Sequence, residues 1–103
     1  MRQIIDRKIY DTEKAILLAE YWNGLGENDF RKISEDLYIT KKGQFFLNCS
    51  GGAKTKYAET NGRENWESEK IILLDKDETY QWLEGNNEIE VIEEYFSDYI
   101  KEA

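Results

Sequence analysis

Histidine and proline are absent from the 103 residues, cysteine occurs once, and no apolar run approaches the roughly 20 residues that a membrane-spanning helix needs. Each absence removes a class of function. Without histidine there is no imidazole general base, no catalytic triad built on one and no ordinary zinc site. The single thiol, Cys49, closes no internal disulfide and fits a reducing compartment. Carboxylates are abundant, yet no Asp/Glu spacing matches a calcium-binding loop. Glu, Lys and Tyr can all move protons, so these absences disfavour an enzyme rather than forbid one. No cofactor and no metal are expected. The opening residues do not read as a signal peptide, so the expected setting is soluble and cytoplasmic.

Enough apolar material is present for a core. Hydrophobic residues make up 40% of the chain and recur periodically, which argues against disorder despite a charged fraction of 35%. No repeat, proline or low-complexity linker divides the chain, and one domain over residues 1–103 is expected, with an acidic helical part at 75–103. Arg2 to Tyr10 reads as an extended segment that could fold back at Asp6-Arg7, a poor substitute for Asn-Gly in a two-residue turn. Asp11 resembles a helix N-cap. From Thr12 the residues Ala15, Ile16, Leu18, Ala19 and Trp22 fall at helical spacing until Asn23-Gly24, which predicts a first helix. Leu25 to Arg31 reads as loop.

Leu37-Tyr38-Ile39-Thr40 and Gln44 to Asn48 predict a hairpin turning at Lys41-Lys42-Gly43. Ala53 to Glu59 reads as a short helix with Ser50 as its cap, and Asn61 to Ser68 as a polar loop carrying Trp66. The continuous run Ile71-Ile72-Leu73-Leu74 has the character of a central buried strand. Asp75 or Asp77 then caps a helix with Tyr80, Trp82 and Leu83 that stops at Gly85-Asn86. A last helix from Asn87 places Ile89, Ile92, Phe96, Tyr99 and Ile100 on one face. Trp22 and Trp82 are expected in the core. The fold class expected is α+β: a small, mainly antiparallel sheet of three to five strands packed by three or four helices.

Charge is divided sharply. Residues 1–74 carry twelve acids and twelve bases, whereas 75–103 carry ten acids against Lys76 and Lys101, which is the whole of the net −8. Glu90, Glu93, Glu94 and Asp98 avoid the apolar face of the last helix and form an acidic surface beside Tyr95. A solvated face that keeps a small protein soluble is the plainer reading, and Glu88 and Glu90 also suit a helix N-terminus. The functional reading is a surface that imitates a phosphate backbone and occupies a basic groove on a nucleic-acid-binding protein. The same charge opposes direct duplex binding. A second candidate surface combines Lys41 and Lys42 at the hairpin tip with Trp66, and with Lys54, Lys56 and Arg63 it leaves RNA contact as a third alternative.

Ser50-Gly51-Gly52-Ala53-Lys54-Thr55 superficially resembles a phosphate loop. That motif requires Gly-x-x-x-x-Gly-Lys-Ser/Thr, and here Ala53 separates the glycine from Lys54 while the first glycine is missing. The corner is read as packing, and Cys49 as a small buried hydrophobe.

Several segments together carry a resemblance. They are Ile9-Tyr10-Asp11-Thr12-Glu13-Lys14-Ala15, Leu37-Tyr38-Ile39-Thr40-Lys41-Lys42-Gly43-Gln44-Phe45-Phe46-Leu47, Gly51-Gly52-Ala53-Lys54-Thr55-Lys56-Tyr57-Ala58 and Glu69-Lys70-Ile71-Ile72-Leu73-Leu74. The chain looks like the small acidic proteins of bacterial phages, plasmids and conjugative elements, and is similar to type II-A anti-CRISPR proteins. The resemblance covers most of residues 4–84 and rests on packing and turn motifs, so it carries over no functional residue. It implies inhibition of an RNA-guided Cas nuclease by binding it inside the bacterial host. Asp6-Arg7 stands where the family has Asn-Gly, and the acidic part from Asn87 lies beyond the resemblance.

Overall fold

The computed structural model describes residues 1–24, 32–51, 59–61, 64–66 and 68–101, with the backbone alone for 59–61, 64–66 and 68. The chain is a small α+β fold. Strands β1 (Arg2–Ile5) and β2 (Lys8–Asp11) form a hairpin. Strands β3 (Ile16–Trp22), β4 (Ile33–Ile39), β5 (Phe45–Gly51) and β8 (Ser68–Leu74) form an antiparallel sheet in that spatial order. Between β5 and β8, β6 (Glu59–Asn61) pairs with β7 (Glu64–Trp66). Helices α1 (Lys76–Gly85) and α2 (Ile89–Tyr95) follow, then a 3-10 turn at Ser97–Tyr99.

Alternation along the central strands assigns the two faces of the sheet. Leu37 on β4 and Phe45, Leu47 and Cys49 on β5 point to one side, where they meet Leu83, Ile92 and Phe96 of the helical layer. Phe46 points to the other side and packs with Tyr10 of the hairpin and Ile71. The sheet is therefore the middle layer. Each fully buried apolar side chain, such as Leu37 or Leu83, contributes about 1.5–3 kcal/mol on folding.

Two turns follow directly from local chemistry. Gly43 has φ +91, and the loop is tied by Thr40, whose backbone N–H donates to the Gln44 carbonyl and whose Oγ1 accepts from the Gln44 N–H. The Asp6-Arg7 hairpin forms as well, and both residues adopt positive φ, 49 and 66. A two-residue turn needs that conformation because its twist matches the flanking strands. A left-handed non-glycine residue costs roughly 1–2 kcal/mol. The double change Asp6→Asn, Arg7→Gly should therefore raise the thermal midpoint by about 4 °C or more; a lower midpoint would contradict this account of the turn.

The predicted first helix is not formed. Asp11 does accept a hydrogen bond from the Glu13 N–H through Oδ1, and the Lys14 and Ala15 N–H groups reach its carbonyl, so one turn begins as expected. The chain then extends into β3. Seven residues between that turn and Asn23-Gly24 are too few for a stable helix, and Ile16, Tyr21 and Trp22 suit a strand. Pairing with β4 decides it, setting Ala19 against Leu37. An irregularity at Leu18 breaks the register of this edge strand. Trp22 is consequently not core but 59% exposed.

Other expectations are also corrected. Among the described residues there are two α-helices, where three or four were expected over the whole chain. β8 is an edge strand, not a central one; its run is continuously apolar because the hairpin covers one face and the helices the other. Gln3 of the hairpin shields that edge by accepting the Ile71 N–H at 3.2 Å. Ser50 lies within β5 and shares a 2.6 Å hydrogen bond with Ser34, while the helix it was expected to cap lies outside the described residues. The stretch predicted as polar loop contains β7 and the end of β6, with Trp66 on β7. The Leu25–Arg31 loop and the Ala53–Glu59 helix lie outside the described residues, save that Glu59 opens β6.

The acidic part folds as its capping signals require. Asp75 Oδ1 accepts the Glu78 N–H at 2.8 Å while Glu78 Oε1 accepts the Asp75 N–H at 3.0 Å, a reciprocal capping box. Thr79 is fully buried and satisfies its hydroxyl on the Asp75 carbonyl. Trp82 donates its indole N–H to buried Glu35 at 3.0 Å, joining α1 to β4. The last helix is shorter than predicted. Ile92 and Phe96 are buried; Ile89 is exposed at the start of α2, and Tyr99 and Ile100 are exposed where the helix gives way to the 3-10 turn after Tyr95.

Candidate protein interface

Burying Ile92 and Phe96 turns the rest of α2 outward. Glu90, Glu93 and Glu94 on α2 and Asp98 in the following turn are all solvent-exposed, as the sequence pattern anticipates. They do not stand alone. Asp75, Asp77, Glu78 and Glu84 of α1 are exposed too, so both helices present carboxylates. Lys41 and Lys42 are exposed at the β4–β5 tip, while Lys54, Lys56 and Arg63 lie outside the described residues, and so does the Trp66 side chain.

A chain of rings fixes the two acidic elements to the sheet. Phe45 of β5 touches Tyr95 and Phe96; Phe96 touches Tyr80 and Tyr99; and Tyr80 stacks on Tyr99 at 5.2 Å between centroids. Such contacts each add about 0.5–1.5 kcal/mol beyond area burial. The Tyr99 hydroxyl donates to Asp77 Oδ1 at 3.3 Å, tying the end of the chain to the first turn of α1. Burial, then Asp77, push the Tyr99 phenol above its usual range, and a hydrogen bond to Glu84 does the same for Tyr80. Both phenols thus stay protonated donors amid carboxylates.

Tyr99 is 44% exposed, so one ring of the stack remains open to a partner beside Asp77. Charge counting locates the acidic part but misses this pair. Tyr80 and Tyr99 are 19 positions apart, and only the packing of α1 against the 3-10 turn brings them together. A faint signal is present in the sequence, since the last-helix apolar stripe carries an aromatic, Tyr99, beside Asp98 near its end.

Other surfaces offer less chemistry. A shallow cleft of about 280 Å³ lies beneath the β4–β5 tip, lined by Gly43, Gln44, Phe45, Leu73, Leu74, Asp75 and Lys76. Two of its polar side chains are engaged: Gln44 Nε2 donates to the Phe45 and Leu74 carbonyls, and Asp75 caps α1. Among the described residues no cluster of His, Cys, Asp or Glu has the arrangement of a metal site, and no helix is long and apolar enough to cross a membrane. Cys49 is buried in the core.

No protein-family model, curated protein or solved structure matches the chain.

Proposed function

We propose that the protein is a non-enzymatic, anti-CRISPR-type inhibitor that binds an RNA-guided Cas nuclease and obstructs guide-RNA loading or DNA engagement. The observation that carries this reading is the confinement of the entire net −8 to residues 75–103. Most of those carboxylates lie on or beside α1, α2 and the following turn, which the ring chain packs against the sheet. Rigid carboxylates offer arginine and lysine side chains much of what a phosphate backbone offers, and opposite fields speed the encounter. The exposed Tyr99 ring beside Asp77 suits a guanidinium better than an ammonium, because guanidinium can stack while its N–H groups reach a carboxylate.

Capture of a purified Cas effector, with and without guide RNA, tests both the partner and the step. Retention of the apo-effector that guide RNA competes away supports obstruction of loading. Retention of the guide-loaded effector with loss of DNA binding supports obstruction of DNA engagement. No retention of either form overturns the proposal.

A second reading makes the protein a regulatory interaction module of a mobile element, working through Lys41, Lys42 and Trp66. The exposure of both lysines at the hairpin tip favours it. Trp66→Ala would then remove partner binding, whereas the acidic-surface reading leaves that variant active.

A further inference from the structure

The face of the sheet away from the helices is apolar beneath the β1–β2 hairpin. Tyr38, Phe46 and Ile71 lie under the hairpin, and two positions further along their strands the same face carries Asp36, Asn48 and Glu69. Glu20 on β3 is the register partner of Asp36, and Asp36 is the register partner of Asn48 on β5. Three carboxylates and one carboxamide thus share a small area of a central sheet. Direct cross-strand partners have Cβ atoms about 4.5–5.5 Å apart.

The carboxamide is half satisfied. Asn48 Nδ2 donates to Glu69 Oε1 at 3.1 Å, which aims Oδ1 away from Glu69, and Oδ1 is buried without a hydrogen-bond donor. A buried acceptor left unpaired costs about 1–3 kcal/mol. Its neighbours Glu20, Asp36 and Glu69 can donate only when one of them holds a proton, and Asp36 is the one directly opposite on the adjacent strand.

We propose that Asp36, the register partner of Asn48, takes up a proton as the pH falls and donates it to the buried, unpaired Asn48 Oδ1, making this row of the sheet an acid-responsive lock. The electrostatics of the row agree with that geometry. Partial burial, then Glu20, then Glu69, push the Asp36 carboxyl above its ordinary value of 3.8. Tyr38, the next titratable group on the same face of β4, is pushed up by burial and by the same three carboxylates. Among the described residues the groups facing Asp36 are therefore Glu20 from β3, Tyr38 from its own strand, Asn48 from β5 and Glu69 from β8, while the hairpin contributes Tyr10 over the adjoining Phe46.

The direction of the pH response follows. Folded Asp36 holds its proton more tightly than the unfolded chain does, so its contribution to stability is complete below the unfolded value and is lost as pH rises through the folded one. At neutral pH the ionised row is repulsive and Asn48 Oδ1 lacks its donor. Asp36→Asn supplies a permanent N–H donor and removes a charge. That variant should melt at least about 4 °C above the natural chain at neutral pH, with the gap closing in acid below the usual carboxylate range. A gap that is zero at neutral pH, or the same at both, overturns the proposal. Carboxyl-carbon NMR of the unmodified protein decides the matter independently of how the variant folds. The Asp36 carboxyl should titrate above 3.8, and the Asn48 side-chain amide should move with the same midpoint. An Asp36 midpoint at or below that value, or an Asn48 amide that does not follow it, overturns the proposal.

Discussion

Replacing Glu90, Glu93, Glu94 and Asp98 together by lysine is expected to weaken binding to the Cas effector by about a hundredfold or more, roughly 2.7 kcal/mol. Each reversal adds two positive charges, so four of them bring the formal net charge from −8 to zero. Attraction between the acidic helices and a basic channel becomes repulsion over the same area, and like-charge juxtaposition at an interface costs several kcal/mol. Steering is lost as well, which can slow association by about 10- to 1000-fold. All four side chains are exposed, so the fold should survive. Glu90 lies in the first turn of α2, where exchanging an acid for lysine costs about 0.3–1 kcal/mol against the helix dipole. Binding isotherms set beside the far-ultraviolet circular dichroism of the variant separate the two effects. A folded variant that binds and inhibits undiminished would sink the mechanism based on the acidic surface.

The second large effect concerns the joint between the hairpin and the sheet. Phe46→Ala should lower stability by about 3–5 kcal/mol, the usual range for truncating a fully buried phenylalanine. Phe46 is completely buried, stacks on Tyr38 at 5.2 Å and meets the Tyr10 edge at 5.7 Å. Its removal strips an aromatic contact that holds β1–β2 over the sheet, while Gln3 offers a single hydrogen bond to Ile71 and the Arg2–Asp11 ion pair lies within the hairpin itself. Domains of this size have about 5–15 kcal/mol in total, so the variant should unfold many degrees lower. Denaturant titration measures the loss. A change below about 1 kcal/mol would show that the hairpin is dispensable to the core.

Local chemistry was readable wherever a few neighbouring residues settle the outcome. Gly43 marks the β4–β5 turn because its left-handed backbone suits glycine, and Asp75 with Glu78 marks the start of α1 because the two satisfy each other's backbone donors. The last helix was legible in its first turns, where Ile92 and Phe96 are buried, and misread beyond Tyr95, where the apolar spacing continues but the backbone tightens. Ile16–Trp22 shows the opposite limit. Its apolar positions fit a helical period as well as a strand, and nothing within seven residues breaks the tie. The strand character of Ile71–Leu74 was legible but its place in the sheet was not, since a strand covered on both faces looks the same in the middle or at the edge.

Of the candidate interface, the charge was visible and the geometry was not. The division between a neutral 1–74 and a strongly acidic 75–103 is a property of composition, and no folding can alter it. By itself, then, the sequence determined the α+β class, the turn at Gly43, the cap at Asp75, and where the negative charge resides. Only the tertiary structure decided that β3 is a strand, that Tyr99 lies on Tyr80 beside Asp77, and that Asp36 stands opposite Asn48, whose Oδ1 is unpaired. Those outcomes depend on partners such as Asp36 and Asn48, which meet only when β4 and β5 pair in register. The turns and caps depend on hydrogen bonds between residues three or four apart, such as Asp75 with Glu78 and Thr40 with Gln44, which the chain forms wherever it folds.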